Sequence, residues 1–289
     1  MSAIVPRPIR RLVASLAVAA MLTGMQSAHA ADGKSTAAPP SGALAYAQRT
    51  GALYKSDGRD LYRSDDGGKQ WRKVPLSLPP DGTRITSVAV SAGATEALYL
   101  AGSGLGALKS VDAGKSWISI AKGLPSQDVV ALAAHSTVPE TVYAMVAGRG
   151  IYRSEDGGAR WRMVDKGPPA RLRQFVHSNL AGSMQSGWIY TATDKGVYRA
   201  MDCFCGFRPA GTLPGKVSAV SYDPKQPTEL YAAVGGQVFR TVNGGESWQR
   251  AGSPGGVIVA LAYTPAGVLY TLLADGRVAR STSAGKQWE

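Results

Sequence analysis

Five octapeptides constrain this chain more than anything else in it. Ser64-Asp-Asp-Gly-Gly-Lys-Gln-Trp71, Ser110-Val-Asp-Ala-Gly-Lys-Ser-Trp117 and Ser154-Glu-Asp-Gly-Gly-Ala-Arg-Trp161 share the pattern S-x-D-x-G-x-x-W. Thr241-Val-Asn-Gly-Gly-Glu-Ser-Trp248 and Ser281-Thr-Ser-Ala-Gly-Lys-Gln-Trp288 keep the frame with Asn243 and Ser283 in place of the acid. A sixth, Ala200-Met-Asp-Cys-Phe-Cys-Gly-Phe207, retains only Asp202 and an aromatic end. Successive starts lie 46, 44, 46, 41 and 40 residues apart. A period of about 40–45 residues is the length of one four-stranded blade, so a ring of blades is the expected architecture.

Other positions recur in step. An apolar residue followed by Tyr precedes each octapeptide, at Tyr54, Tyr99, Tyr143, Tyr190, Tyr231 and Tyr270, with a Gly turn between. Upstream lie alternating runs at 43–47, 85–90, 129–134, 172–176, 217–222 and 257–263. Each period therefore reads strand, strand, Gly turn, strand, octapeptide, strand. The octapeptide needs no substrate to explain it. A carboxylate two residues into a hairpin turn accepts the turn's own N–H groups, Gly takes the positive φ, the hydroxyl adds a local bond and Trp buries its ring between sheets. On this reading Asp66, Asp112, Asp156, Asp202 and Asn243, with Trp71, Trp117, Trp161, Trp248 and Trp288, are scaffold.

These octapeptides are Asp boxes, the bacterial neuraminidase repeats, and the chain resembles the Asp-box β-propellers from about residue 43 to 288. The resemblance implies an all-β, six-bladed propeller of four-stranded antiparallel blades in which each box turns the third strand into the fourth. The last blade stops at Trp288-Glu289, so either residues 31–42 complete it or it has three strands. Strings such as Ile151-Tyr-Arg-Ser-Glu-Asp-Gly-Gly-Ala-Arg-Trp161 are similar to the photosystem II stability and assembly factor family. That family's propellers bind nascent membrane-protein segments and usually have seven blades, whereas this chain offers six.

Residues 1–30 read as a secretory leader: Arg7, Arg10 and Arg11, an apolar run from Leu12 too short for a stable span, then Ala28-His29-Ala30. Its removal takes three Arg from a formal charge of +12 and leaves +9. The expected product is a flexible segment over 31–42 and one domain over 43–289, exported to periplasm or medium, monomeric, without a stable membrane insertion and without a cofactor. The only two cysteines, Cys203 and Cys205, leave the fold to an apolar core. As a pair they suit a small disulfide ring first, free thiols second and half a metal site last. His135 and His177 remain after the leader, on different expected strands, so a histidine cluster is not expected and no metal is assigned.

Alternating connections put all six boxes on one rim, and the blade-to-blade loops and Gly turns on the other, where recognition is expected. A cation precedes every box, at Arg63, Lys109, Arg153, Arg199, Arg240 and Arg280; something repeated in every blade reads as scaffold. Unrepeated charge on the loop rim is more informative, and it is densest around Lys166–Arg173. Arg84, Asp128, Arg149, Arg171, Arg173 and Lys216 are the candidate binding residues, for a protein or an acidic glycan. Nucleic acid is disfavoured by export and by the lack of interleaved aromatics.

The competing expectation is an exo-sialidase-like hydrolase at the channel mouth, because neuraminidases have the same six-bladed fold. They use a Tyr nucleophile with an acidic partner, an acid/base Asp and three Arg. No Arg-Ile-Pro opens the first blade here, and the nearest string is Phe207-Arg208-Pro209 in blade four. Once box and turn acids are set aside, Asp60, Asp81, Glu96, Asp128, Glu140, Asp165, Asp223 and Glu229 are the carboxylates left for catalysis.

Overall fold

The alternation read from the sequence becomes six antiparallel meanders in a computed structural model, which describes residues 1–3, 42–79, 82–93 and 96–289. Most of the leader expected at 1–30 and of the segment at 31–42, and Asp81, lie outside the described residues. Five sheets have four strands and the sixth has three. The innermost strands are Ala43–Tyr46, Arg84–Val90, Val129–Ala134, Leu172–Ser178, Val217–Tyr222 and Ile258–Tyr263, within one or two residues of their expected bounds. Outer strands are short and exposed, as at Arg72–Lys73 and Ile118–Ser119, while second strands such as Trp188–Thr193 are buried throughout. Strands that are apolar on both faces belong between two neighbouring sheets, and that is how radial blades use them.

The box works by satisfying its own backbone. In blade one Ser64 Oγ donates to Asp66 Oδ1 at 2.7 Å and accepts from Gly68 N at 2.9 Å, while Asp66 Oδ1 accepts from Lys69 N and Gln70 N at 3.0 and 2.9 Å. Blades two, three, five and six repeat the hydroxyl-to-Gly bond. Even Ser283, lacking a carboxylate, accepts Gln287 N at 2.9 Å. The Ser116 hydroxyl and amide hold the carboxylate of Asp112, and the Arg160 guanidinium and amide that of Asp156, down to about 2, so both turns stay charged well into acid.

A closed turn aims its indole at the preceding blade. Trp117 Nε1 donates to Pro75 O at 3.2 Å, Trp161 to Ile120 O at 2.7 Å and Trp248 to Ala210 O at 2.7 Å. At the seam of blades four and five a second-strand Tyr works the other way: Tyr190 Oη donates to Gly244 O in the box of blade five at 2.9 Å. That seam is thus fastened from both sides over an apolar contact.

Closure of the ring rests on side chains. Leu44, Leu53 and Trp71 of blade one pack with Ala260, Tyr270, Leu272 and Val278 of blade six, and Lys55 Nζ donates to Gly276 O at 3.0 Å. The open question about the last blade resolves as three strands among the described residues, with Glu289 exchanging two backbone bonds with Arg280 at 2.9 and 3.0 Å.

Two glycines separate the cost of backbone strain from the cost of a crowded seam. A Cβ on Gly158 (φ +97°) would lie 2.6 Å from Ile120 Cδ1, whereas one on Gly182 (φ +85°) meets nothing within 4 Å. Gly182→Ala is expected to cost about 1 kcal/mol, the left-handed penalty alone. Gly158→Ala should cost roughly 1–3 kcal/mol more by overpacking the seam between blades two and three. Denaturant midpoints of the two variants check the difference, and equal losses would mean that the seam can yield.

Candidate functional site

Repeated cations are consumed by the scaffold. Arg63, Lys109, Arg153, Arg199, Arg240 and Arg280 each stand directly across from the second-strand Tyr, in the pairs Tyr54↔Arg63 through Tyr270↔Arg280. Three of them reach the next blade: Lys109 to Glu140 at 3.1 Å, Arg153 to Gln185 at 3.2 Å and Arg199 to Gly244 O at 2.7 Å. Trp188, the one indole outside a box, lies under the guanidinium groups of Arg199 and Arg208.

The inner strands leave an axial cavity of about 570 Å3. Four inner strands shift register near their second residue, and blade three shifts where its second strand faces Val130. In blades two and five the extra residue is a hydroxyl that bonds the next blade, Thr86 to Val129 O at 3.2 Å and Ser218 to Ile258 O at 2.7 Å. Blade four puts Arg173 there, and Gln174 takes over the fastening by accepting Val220 N at 2.7 Å. The guanidinium is released from the scaffold, and its buried Nε has no partner among the described residues. Arg171 and Lys216 line the same end of the cavity, and neither has a side-chain partner among the described residues.

Of the six sequence candidates, then, the structure brings Arg171, Arg173 and Lys216 together. Arg84 and Arg149 stand apart from the cavity on blades two and three. Asp128 is tied into a turn, accepting from Ser103 Oγ at 2.9 Å and Gly104 N at 3.0 Å.

At the opposite, box-side end sits an arrangement that the sequence reading missed. His135 and His177 stack at 3.7 Å between ring centroids, both buried, beside a buried Asp202. The expectation that no histidine cluster could form is therefore corrected. The first strands of adjacent blades end side by side, which brings residues 42 apart in sequence into contact. Asp202 is corrected as well: with the box glycines replaced by Cys203 and Phe204, its carboxylate turns away from its own hairpin. It accepts from Ser186 N at 2.9 Å, Ser186 Oγ at 2.5 Å and His177 Nε2 at 3.5 Å instead. Cys203 and Cys205 are joined as a disulfide around Phe204, which lies at φ +58° and packs on Tyr143. Aligning the blades would have exposed the cluster, since His177 occupies the register of Tyr46, Tyr222 and Tyr263.

The three side chains could be taken for a metal site, because their ligand atoms lie within 4.8 Å of one another. Their hydrogen bonds argue otherwise. His135 Nδ1 accepts from Thr137 N and Val138 N at 3.1 and 3.0 Å, and His177 Nδ1 accepts from Ser136 N at 3.2 Å. Backbone donors at both Nδ1 atoms place the ring proton on Nε2, the atom that would have to ligate. Parallel rings also cannot both aim an in-plane lone pair at one ion. Nor do Ser136, His177 and Asp202 make a hydrolytic triad, although Ser136 Oγ is 2.9 Å from His177 Nδ1. That nitrogen is shared with Ser136's own N–H, and burial with the neighbouring imidazole pushes His177 down to about 4, a weak base near neutrality.

Glycosidase chemistry fares no better. Among the described residues no Asp or Glu lines the axial cavity. Every described carboxylate left over for catalysis is bonded elsewhere. Asp60 pairs with Lys73, Glu140 with Lys109 and Glu229 with Arg240, while Glu96, Asp128, Asp165 and Asp223 cap backbone N–H groups.

No curated protein matches the chain. Among solved structures, one described as YCF48 bound to D1 peptide is similar over 87% of this chain and 82% of its own, at 19% identity and TM-score 0.57. YCF48 from Cyanidioschyzon merolae is similar over 87% and 85%, at 16% identity and TM-score 0.52. The GH74 xyloglucanase from Xanthomonas campestris matches 86% of this chain at 16% identity and TM-score 0.60, but this chain spans only 46% of that enzyme. These likenesses show the fold. The model of the photosynthesis system II assembly factor YCF48 family matches residues 44–198, more than half of the chain, across blades built on the very boxes described above; the chain belongs to that family.

Proposed function

We propose that this chain is an exported, monomeric, non-catalytic assembly module that holds a carboxylate-bearing segment of another protein across the loop-side mouth of its axial cavity. The observation that carries the reading is the set of cations at that mouth, Arg171, Arg173 and Lys216, which the scaffold leaves without side-chain partners among the described residues. Unpaired guanidinium groups on rigid strand ends are suited to carboxylates, which they meet in a planar, forked geometry. Membership of an assembly-factor family and the peptide bound to the related structure favour a protein over an acidic glycan. Export rests on the leader-like residues 1–30.

A fluorescent peptide rich in Asp and Glu is the direct probe. A charge-assisted hydrogen bond contributes roughly 1.5–3 kcal/mol, so Arg173→Glu and Arg171→Glu are each expected to weaken binding about tenfold or more. Lys115→Glu, exposed on the box side, should leave Kd alone. An Arg173→Glu protein that binds as tightly as the unaltered chain would refute the assignment. Binding should also fall steeply as salt rises from about 0.1 to about 1 M, because the distance over which exposed charges are screened shrinks from ~10 to ~3 Å in that range. Titration with an acidic glycan in place of the peptide discriminates the two partner classes.

A further inference from the structure

Blade four departs from the repeat at its box-side end in a way that the binding mouth does not use. In the register where blades one, five and six carry Tyr46, Tyr222 and Tyr263, blade four carries His177. One residue later comes a turn acceptor: Ser91 accepts Ala97 N, Ser178 accepts Leu180 N, Asp223 accepts Lys225 N and Thr264 accepts Val268 N. Blade three fills that second position with His135, which caps its turn through Nδ1. Two residues that do not titrate near neutrality elsewhere in the ring have become imidazoles, stacked on one another across the seam of blades three and four.

Every polar atom of both rings is spoken for. The Nδ1 atoms hold the amides of Ser136, Thr137 and Val138. His135 Nε2 lies 2.7 Å from Ser186 Oγ, and Ser186 passes a hydrogen bond on to Asp202, which also faces His177 Nε2. The charged and titratable neighbours are few. Asp202 comes from the blade-four turn and Arg153 from the third strand of blade three, paired outward with Glu155. Tyr143 stacks from blade three's second strand, and Tyr222 approaches Ser136 from blade five.

We propose that His135, His177 and Asp202 form an acid-sensitive latch, closed while both imidazoles are neutral and released when either takes a second proton. That proton comes from solvent, which reaches the cluster at the exposed Ser186. It must settle on Nδ1, where it would point straight at backbone N–H donors that have lost their acceptor. A cationic ring stacked at this distance on a second buried imidazole has no compensating acid beyond the one Asp202. The ring has to swing out, which frees the turn at 136–138 and opens the Tyr143–Phe204 contact beneath it.

The sign follows from where the imidazoles sit. Burial lowers both from the ordinary 6.5, His177 to about 4 with His135 beside it adding to the effect. Across that interval the unfolded chain binds more protons than the folded one, so the latch's stability is complete above pH 6.5 and drains as pH falls toward 4. Asp202 is also lowered, from 3.8, so its own contribution is lost only below that value and cannot mask the imidazole effect.

The test compares the natural chain with a His135→Ser, His177→Tyr double variant, which installs the residue types that other blades carry at these positions. Amide exchange of residues 136–138, corrected for intrinsic rate, and Tm are followed at pH about 7.5 and about 5. The natural chain is expected to lose protection at these amides at least tenfold and to lose several degrees of Tm, while the double variant changes little. Equal protection of the natural chain at both pH values would overturn the latch, as would identical losses in the two proteins. Should the double variant not fold, NMR titration of the two imidazoles in the natural chain decides alone: ordinary titration near 6.5 with the amides still protected overturns the proposal.

Discussion

The hydrogen bonds inside the Asp box are what the ring depends on. A hydroxyl and a carboxylate together satisfy the backbone of a turn that no helix or sheet could satisfy, and in doing so they fix where the following indole lands. Where the indole N–H finds a carbonyl of the preceding blade, as at Trp117, Trp161 and Trp248, a local turn becomes an inter-blade fastening. Tyr190 reaches forward in the opposite sense. Blades of short strands have little stability alone, and fastenings of this kind over apolar seams let neighbours share their stability.

Departures from the repeat therefore mark where the chain serves something other than its fold. Blade four accounts for most of them. It carries Arg173 in place of a fastening hydroxyl at one end of its inner strand and His177 in place of Tyr at the other. Its turn replaces the box glycines with a disulfide loop, and Asp202, freed from capping its own hairpin, is taken up by Ser186 and the imidazoles. Tyr143 Oη, beside this altered turn, has no hydrogen-bond partner among the described residues. The two ends of a single strand thus carry the two departures: unpaired cations at one mouth and stacked imidazoles at the seam of the other.

Much of the candidate site was legible beforehand, and the part that was not has a physical cause. Arg171, Arg173 and Lys216 stood out as unrepeated charge on predicted loop-side positions, and the strand alternation was enough to place them there. Arg84, Arg149 and Asp128 satisfied the same criterion yet lie outside the mouth, because charge on a rim says nothing about radius. The histidine pair was invisible to spacing along the chain; its members are neighbours only because adjacent inner strands run side by side.

What the sequence determined by itself was the periodic scaffold: six blades, the strand bounds to within a residue or two, and boxes as turns, since each rests on contacts made within a few residues of its own position. Which charges converge, which carboxylates are already bonded, how the ring closes through Trp71 and Lys55 against blade six, and that two distant imidazoles stack over Asp202 were decided only by the tertiary structure. Those outcomes depend on the angle between blades and on side chains that meet across seams, and neither is written into the local order of residues.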